Sequence, residues 1–195
     1  KDGKRRSYSM ANLCSEDKTI ELHIRRMKGG VFTEYAFNQM KVKDILRFEG
    51  PKGAFSFDYS NEKPVIFIAS GTGFAPIKSI IEQVFLDKVT RPLKLYWGGR
   101  RPQDLYLSKL AQEWSEVHAN FTYIPVISNA TPQDTWHGRS GFVHLAVMKD
   151  YDSLKNHQVY ACGAPDMIEA AQSDFTKKRD LPETEFFSDA FSPAV

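Results

Sequence analysis

Cysteine is scarce in this chain, neither sign of charge is in excess, and long apolar runs are missing. The 195 residues include two cysteines, Cys14 and Cys162, too few for a disulfide framework, a four-cysteine zinc site or a cysteine-ligated iron–sulfur cluster. The 26 Lys and Arg against 24 Asp and Glu leave a net charge of +2, which excludes the domain-wide basic excess of a nucleic-acid binder. No apolar stretch reaches the about 20 residues that span a bilayer. The basic start Lys1-Asp2-Gly3-Lys4-Arg5-Arg6 does not run into the apolar segment of a signal peptide. His23, His118, His137, His144 and His157 lack metal-ligand spacing, so no metal site is expected. A Gly-x-Ser-x-Gly elbow and a Walker lysine loop are both absent. What is present is 42% apolar and 13% aromatic residue content, enough for a packed core. These bounds describe a cytoplasmic α/β protein without nucleic-acid or membrane partners.

The pattern changes near Ser60-Asn61-Glu62-Lys63-Pro64. Before it, residues 19–24 alternate between polar and apolar as a half-buried strand does. Residues 45–49 and 54–57 read the same way, divided by the turn Gly50-Pro51-Lys52-Gly53, and 32–40 reads as a short helix. After the boundary the rhythm is strand, loop, helix. Val65-Ile66-Phe67-Ile68-Ala69 is a continuous apolar run, the mark of a strand covered on both faces. A helix over 76–86 follows, with Ile77, Ile80, Ile81 and Val84 on one side. Further strands are expected at 93–97, 121–127, 159–162 and 185–187, and helices near 105–114, 142–148 and 165–177. The fold class is therefore α/β plus all-β: a partial antiparallel barrel over 1–61, then a doubly wound parallel sheet over 62–195. Three or four strands do not close a small barrel, so its opening strands are expected outside these residues.

Ser70-Gly71-Thr72-Gly73-Phe74-Ala75-Pro76 directly follows the buried strand. Its glycines permit a tight turn whose backbone N–H groups reach a pyrophosphate, and Pro76 suits a helix's first turn. The alternative is an ordinary glycine-rich connection. After the second strand come Tyr96-Trp97-Gly98-Gly99-Arg100-Arg101, with no carboxylate to grip a ribose in its usual place. Cys162-Gly163-Ala164-Pro165 closes another strand, at an end where ligands sit in open sheets; a small buried hydrophobe is the rival reading for Cys162. Arg6-Ser7-Tyr8-Ser9 pairs an arginine for a phosphate with a ring for a planar heterocycle, or is a solvated strand end. Gly29-Gly30-Val31-Phe32-Thr33 presents N–H groups at a helix start, or is a hairpin loop. Lys177-Lys178-Arg179 reads as a solvated helix end.

Taken in order, these segments resemble the ferredoxin–NADP reductase superfamily along essentially the whole chain. Tyr96-Trp97-Gly98-Gly99-Arg100, Gly138-Arg139-Ser140-Gly141-Phe142-Val143-His144 and Phe186-Phe187-Ser188-Asp189-Ala190-Phe191 narrow the similarity to flavin reductases and CDP-6-deoxyglucoseen reductases. The resemblance implies FAD and NAD(P)H as cofactors, with NADH favoured although Arg100 and Arg101 permit a 2′-phosphate. It implies Arg6, Ser7, Tyr8 and Ser9 against the flavin, and Gly30, Val31, Phe32 and Thr33 around its pyrophosphate. Gly71, Thr72, Gly73, Pro76, Arg100 and Gly163 would hold the nicotinamide dinucleotide. Ser9, Cys162 and Phe191 would take the catalytic places, near flavin N5, near nicotinamide C4 and over the flavin ring. The cofactors carry the hydride while the protein holds the rings together. Relatives of this kind carry a plant-type [2Fe–2S] domain with four cysteine ligands, so such a cluster is expected only outside these residues. The expected acceptor is an iron–sulfur protein or domain, with release of reduced free flavin as the alternative. A non-catalytic nucleotide-binding subunit is the reading from another class, disfavoured by Ser9, Cys162 and Phe191.

Overall fold

The computed structural model describes residues 5–13 and 18–191; Cys14 and residues 1–4 of the basic start lie outside them. The apolar run after the boundary forms β1 (Val65–Ser70) at the centre of a six-stranded sheet. It is joined by β2 (Leu93–Gly99), β3 (Phe121–Ile127), β4 (Arg139–Ser140), β5 (Gln158–Gly163) and β6 (Phe186–Ala190). The order is β4-β3-β2-β1-β5-β6 and every pairing is parallel. The chain winds outward from β1 to β4, then returns to lay β5 on the other side of β1. The crevice of such a sheet opens where that direction reverses, at the carboxyl ends of β1 and β5.

Alternate residues of β1 serve two cores. Phe67 and Ala69 join Leu95, Trp97, Tyr160 and Cys162 beneath α2 (Phe74–Leu86) and α3 (Ser108–Val117). Ile66 and Ile68 join Tyr96, Val159 and Ala161 beneath α4 (Val143–Asp150) and α5 (Pro165–Lys178). Ile77, Ile80, Ile81 and Val84 of α2 all face the first core, as their spacing predicts. Each fully buried large apolar side chain is worth about 1.5–3 kcal/mol, which is why a strand with no polar face is stable only here. No helix among the described residues is long and apolar enough to cross a membrane.

The first region differs from the strands expected at 19–24, 45–49 and 54–57. Its described residues form α1 (Val31–Asn38) and a single antiparallel bridge, Met10 to Leu22. The physical reason is the lack of ladder partners among the described residues: Val42, Ile45 and Phe48 are 94%, 96% and 75% exposed, so the apolar face of their alternation is uncovered. Phe55 and Phe57 instead turn to the first core, where Phe57 stacks on Tyr160 with ring centroids 5.6 Å apart.

Polar contacts fix this region on the sheet at several places. At the amino end of the strands, buried Arg91 donates to the carbonyls of Asp58, Asn61 and Lys63 and to Gln158 Oε1, at 2.6–3.2 Å, and lies 4.3 Å over the Phe57 ring. On α2, Lys78 donates to the Ala11 carbonyl (2.8 Å) and pairs with Glu21 and Glu82, while Ser79 donates to the Asn12 carbonyl (3.0 Å).

Candidate functional site

Three glycines, Gly71, Gly73 and Gly163, let the carboxyl ends of β1, β2 and β5 come together. Gly71 has φ +53°, in the left-handed region that favours glycine, and its carbonyl accepts from Trp97 Nε1 at 3.0 Å. Gly73 lies against β5: a Cβ there would be 2.1 Å from the Cys162 carbonyl oxygen. Ser70 Oγ accepts from Ala164 N at 2.9 Å, and Gly163 leaves room for that hydroxyl. The helical run begins at Gly71 as a 3-10 turn and continues as α2 from Phe74, two residues before the start expected. Pro76 is thereby buried in the first turn of α2, where it shapes the helix entry and offers no surface to a ligand.

Ser9, Cys162, Gly163 and Phe191 come together at this crevice from three parts of the chain. Cys162 pairs in register with Ala69 on one side and Asp189 on the other. Ser9 Oγ donates to Asp189 Oδ2 at 3.2 Å, and the Phe191 amide donates to the Gly163 carbonyl at 2.8 Å. Asp189 is a functional candidate that sequence reasoning missed: no local pattern marks it, and only the register of β5 with β6 sets it beside Cys162.

Cys162 is fully buried. Burial and then the neighbouring Asp189 charge push its thiol well above the usual range, so it is a neutral thiol and not a nucleophile. Iodoacetamide at pH 8 is therefore expected to label the Cys162 peptide at least about tenfold more slowly in the folded protein than in the urea-unfolded chain. Equal labelling by mass spectrometry would contradict this burial.

Beside the Gly71–Gly73 turn lies a cleft of about 370 Å³, lined by His23, Arg25, Gly71, Thr72, Asp104 and Tyr106 among others. Glu21, His23 and Arg25 stand at alternate positions of an extended segment. The alternation read at 19–24 takes in Glu21 and His23, and Arg25 lies just beyond it. His23 bridges Tyr106 Oη and Glu21 Oε1, both at 2.7 Å, and Arg25 reaches to 4.0 Å from Asp104. The cleft thus has walls from both regions and a cation above an N–H-rich turn.

At the other end of the first region, Arg6 and Tyr8 are half-buried and Ser7 is exposed. Tyr8 packs on Phe32 of α1 with centroids 5.4 Å apart. Burial raises its phenol, and the Arg6 charge opposes that, which places the guanidinium close by. Gly30 precedes α1 with no side-chain cap, leaving the first amides open at Val31, 61% exposed. Glu34 in that first turn is held by Arg26 through two hydrogen bonds, which offsets its charge. Thr33 is buried: its hydroxyl donates to the Met27 carbonyl at 3.0 Å, so it shapes the turn instead of facing a ligand. Open helix amides, an arginine and an aromatic pair form a donor set that fits a dinucleotide flavin's phosphates and ring.

Arg100 is exposed, and the carboxylate missing at the tip of β2 arrives by another route. Asp104 Oδ2 accepts from the amides of Arg100 and Arg101 at 2.9 and 3.0 Å.

Residues 67–173 match the oxidoreductase NAD-binding domain and residues 1–57 the oxidoreductase FAD-binding domain. The chain is 44% identical to the CDP-6-deoxy-L-threo-D-glycero-4-hexulose-3-dehydrase reductase of Yersinia pestis, covering 99% of this chain and 57% of that protein. It is 35% identical to the phenol 2-monooxygenase reductase component DmpP of Pseudomonas sp. strain CF600, over 97% of this chain and 54% of the relative. The Amycolatopsis cytochrome P450 reductase GcoB superposes with a TM-score of 0.90 at 33% identity, over 100% of this chain and 58% of that one. A ferredoxin NADP+ reductase from Neisseria gonorrhoeae with bound FAD and NADP shares the fold, with a TM-score of 0.75 at 18% identity over 96% and 80% of the two chains. The chain spans little more than half the length of these curated relatives.

Proposed function

We propose, for a chain that belongs to the ferredoxin reductase-type oxidoreductases with FAD- and NAD-binding domains, that it passes a hydride from NAD(P)H to FAD and electrons onward to an iron–sulfur centre. The observation that carries this reading is the convergence of Ser9, Cys162, Asp189 and Phe191 on the crevice beside the Gly71–Gly73 turn. FAD supplies the hydride-accepting ring and the pyridine nucleotide supplies the hydride. The remaining work belongs to the protein.

Arg6 and the open amides of α1 hold the flavin's phosphates, and Tyr8 braces its ring system. Gly71 and Thr72 present backbone N–H groups to the nucleotide's pyrophosphate, with Arg25 as counter-charge. The neutral, buried Cys162 keeps water and competing charge away from the transfer path, and Phe191 closes that path on the Gly163 side. Ser9, whose hydroxyl donates to Asp189, would stand beside the flavin's reacting nitrogen and fix the ring's position there. Residues 1–61 are read as the FAD-binding unit and 62–195 as the NAD(P)-binding unit. The iron–sulfur acceptor is supported by relatives that are reductase components of a dehydrase and of a monooxygenase.

Anaerobic mixing of the FAD-loaded protein with NADH tests this. The flavin's visible absorbance is expected to bleach, and Ser9→Ala to slow that step by about 10²-fold with flavin content unchanged. A loaded protein that fails to bleach would remove the proposal.

A further inference from the structure

Lys78 is an unexpected residue for the middle of α2: an ammonium only 6% exposed, on the helix that the glycine turn leads into. A buried cation is stable only among partners, and hydride transfer gives this one no task. Two of its partners, the Ala11 carbonyl and Glu21 Oε2 at 2.8 and 3.3 Å, belong to the first region. Glu82 Oε1, at 2.9 Å, stands one turn further along α2. The two first-region segments are themselves joined. The Ala11 amide donates to the Glu21 carbonyl at 2.9 Å, and the Glu21 amide donates to Asn12 Oδ1 at 2.8 Å. Lys78 therefore anchors a paired unit.

From Glu21 the contacts run back to the cleft. Burial would raise the Glu21 carboxyl, but hydrogen bonds and charge from His23 and Lys78 outweigh it and hold the group below its usual range. An ionised carboxylate only accepts, so His23 Nε2, 2.7 Å from Glu21 Oε1, carries a hydrogen. The neutral ring then has its lone pair on Nδ1, 2.7 Å from Tyr106 Oη. Burial and then the Glu21 charge hold the Tyr106 phenol above its usual range. The phenol keeps its proton and donates to Nδ1. Each group in the series Lys78, Glu21, His23 and Tyr106 thus orients the next.

Tyr106 is where the series meets the cleft. Its ring stands edge-on to His23 and to Trp97, each with centroids 5.2 Å apart, and the Trp97 indole donates to the Gly71 carbonyl at 3.0 Å. One wall residue is held from two sides, by the first region through His23 and by the glycine turn through Trp97. His23 and Tyr106 line the cleft, whereas Lys78 and Glu21 stand outside it.

We propose that Lys78, Glu21 and His23 are positioning residues that set the Tyr106 hydroxyl, and with it the nucleotide cleft, by the way the first region is seated on α2. This rests on the nucleotide site described above and extends it to two residues outside the cleft.

The test uses ADP-ribose, which carries the pyrophosphate without the nicotinamide, titrated calorimetrically into the purified protein with no flavin added. Glu21→Ala is expected to weaken binding about tenfold, the weight of one hydrogen bond to a charged group. Glu21→Gln, whose amide oxygen still accepts from Nε2–H, should stay within about threefold of the original. His23→Leu and Tyr106→Phe should each weaken binding about tenfold, and together no more than either alone, because both remove one hydrogen bond. His23→Asn, which places an amide oxygen near the Nδ1 position, should recover most of the His23→Leu loss. Urea midpoints measured beside these affinities separate a role in stability, which would move the midpoints and leave the affinities unchanged. The positioning series is overturned if folded Glu21→Ala binds ADP-ribose as tightly as the original, if Glu21→Gln is as weak as Glu21→Ala, or if the His23→Leu and Tyr106→Phe losses add. Should Glu21→Ala fail to fold, the His23 and Tyr106 variants decide by the same rule. Any of these results beside normal bleaching by NADH would leave the hydride-transfer reading intact. Failure of the original protein to bind ADP-ribose would overturn the nucleotide site and the positioning series together.

Discussion

Gly73→Ala is expected to cost about 3 kcal/mol of stability and to abolish bleaching of bound flavin by NADH. The added Cβ would lie 2.1 Å from the Cys162 carbonyl oxygen, 2.5 Å from its carbon and 2.7 Å from Gly163 Cα. All three are backbone atoms, so no rotamer change relieves the clash, and the ends of β1 and β5 must separate. Those ends carry the residues that meet at the crevice. Conformation is not the cause, because Gly73 has an ordinary helical φ of −58°. Gly71 is the opposite case: its Cβ would meet only Arg25 Nη1 at 3.8 Å, but its φ of +53° disfavours other residues, and Gly71→Ala should cost about 1 kcal/mol. Urea midpoints of both variants, read beside the bleaching rate, check the pair. A Gly73→Ala protein as stable as the original would show that the strand ends do not touch as described.

The second large effect is expected at the far end of the sheet. Arg91→Ala should destabilise the protein by about 4 kcal/mol, the order seen when a buried charge loses or abandons its partners. The side chain is 5% exposed and satisfies the carbonyls of Asp58, Asn61 and Lys63 together with Gln158 Oε1. Removal leaves those acceptors without their donor and takes the cation from the Phe57 ring. Arg91→Lys should recover little, because one ammonium has three donors and cannot span the same fork. The connection 58–63 joins the two regions, so chymotrypsin should cut the Arg91→Ala protein near Phe57 or Tyr59 well before it cuts the original. Unfolding within about 1 kcal/mol of the original would show that the connection is held by other contacts.

The sheet was legible because burial on both faces leaves a mark in composition. Val65-Ile66-Phe67-Ile68-Ala69 has no polar position, and a helix spacing of Ile77, Ile80, Ile81 and Val84 follows it; both became core. The first region was less legible. Period-two alternation at 45–49 states which face wants cover, and a ladder forms only where a second strand supplies hydrogen-bond partners. Among the described residues none does so, and Phe55 and Phe57 found the sheet's own core instead.

The site divides in the same way. Residue types and their order along the chain singled out the glycine turn, the Arg6-Ser7-Tyr8-Ser9 segment and Cys162-Gly163 as candidates, because these depend on local chemistry: a turn that needs glycine, a cation beside a ring, a small group at a strand end; Phe191 entered through the family resemblance. Which of them share one crevice was decided by the winding of the sheet, which sets Asp189 beside Cys162 across 27 positions of sequence and brings Ser9 to Asp189 across 180. Local sequence carries the conformational preference of each segment; it carries no term for a neighbour that arrives only when the strands pair. For that reason Asp189, Arg25 and the series from Lys78 through Glu21 and His23 to Tyr106 acquired their meaning from the tertiary structure alone.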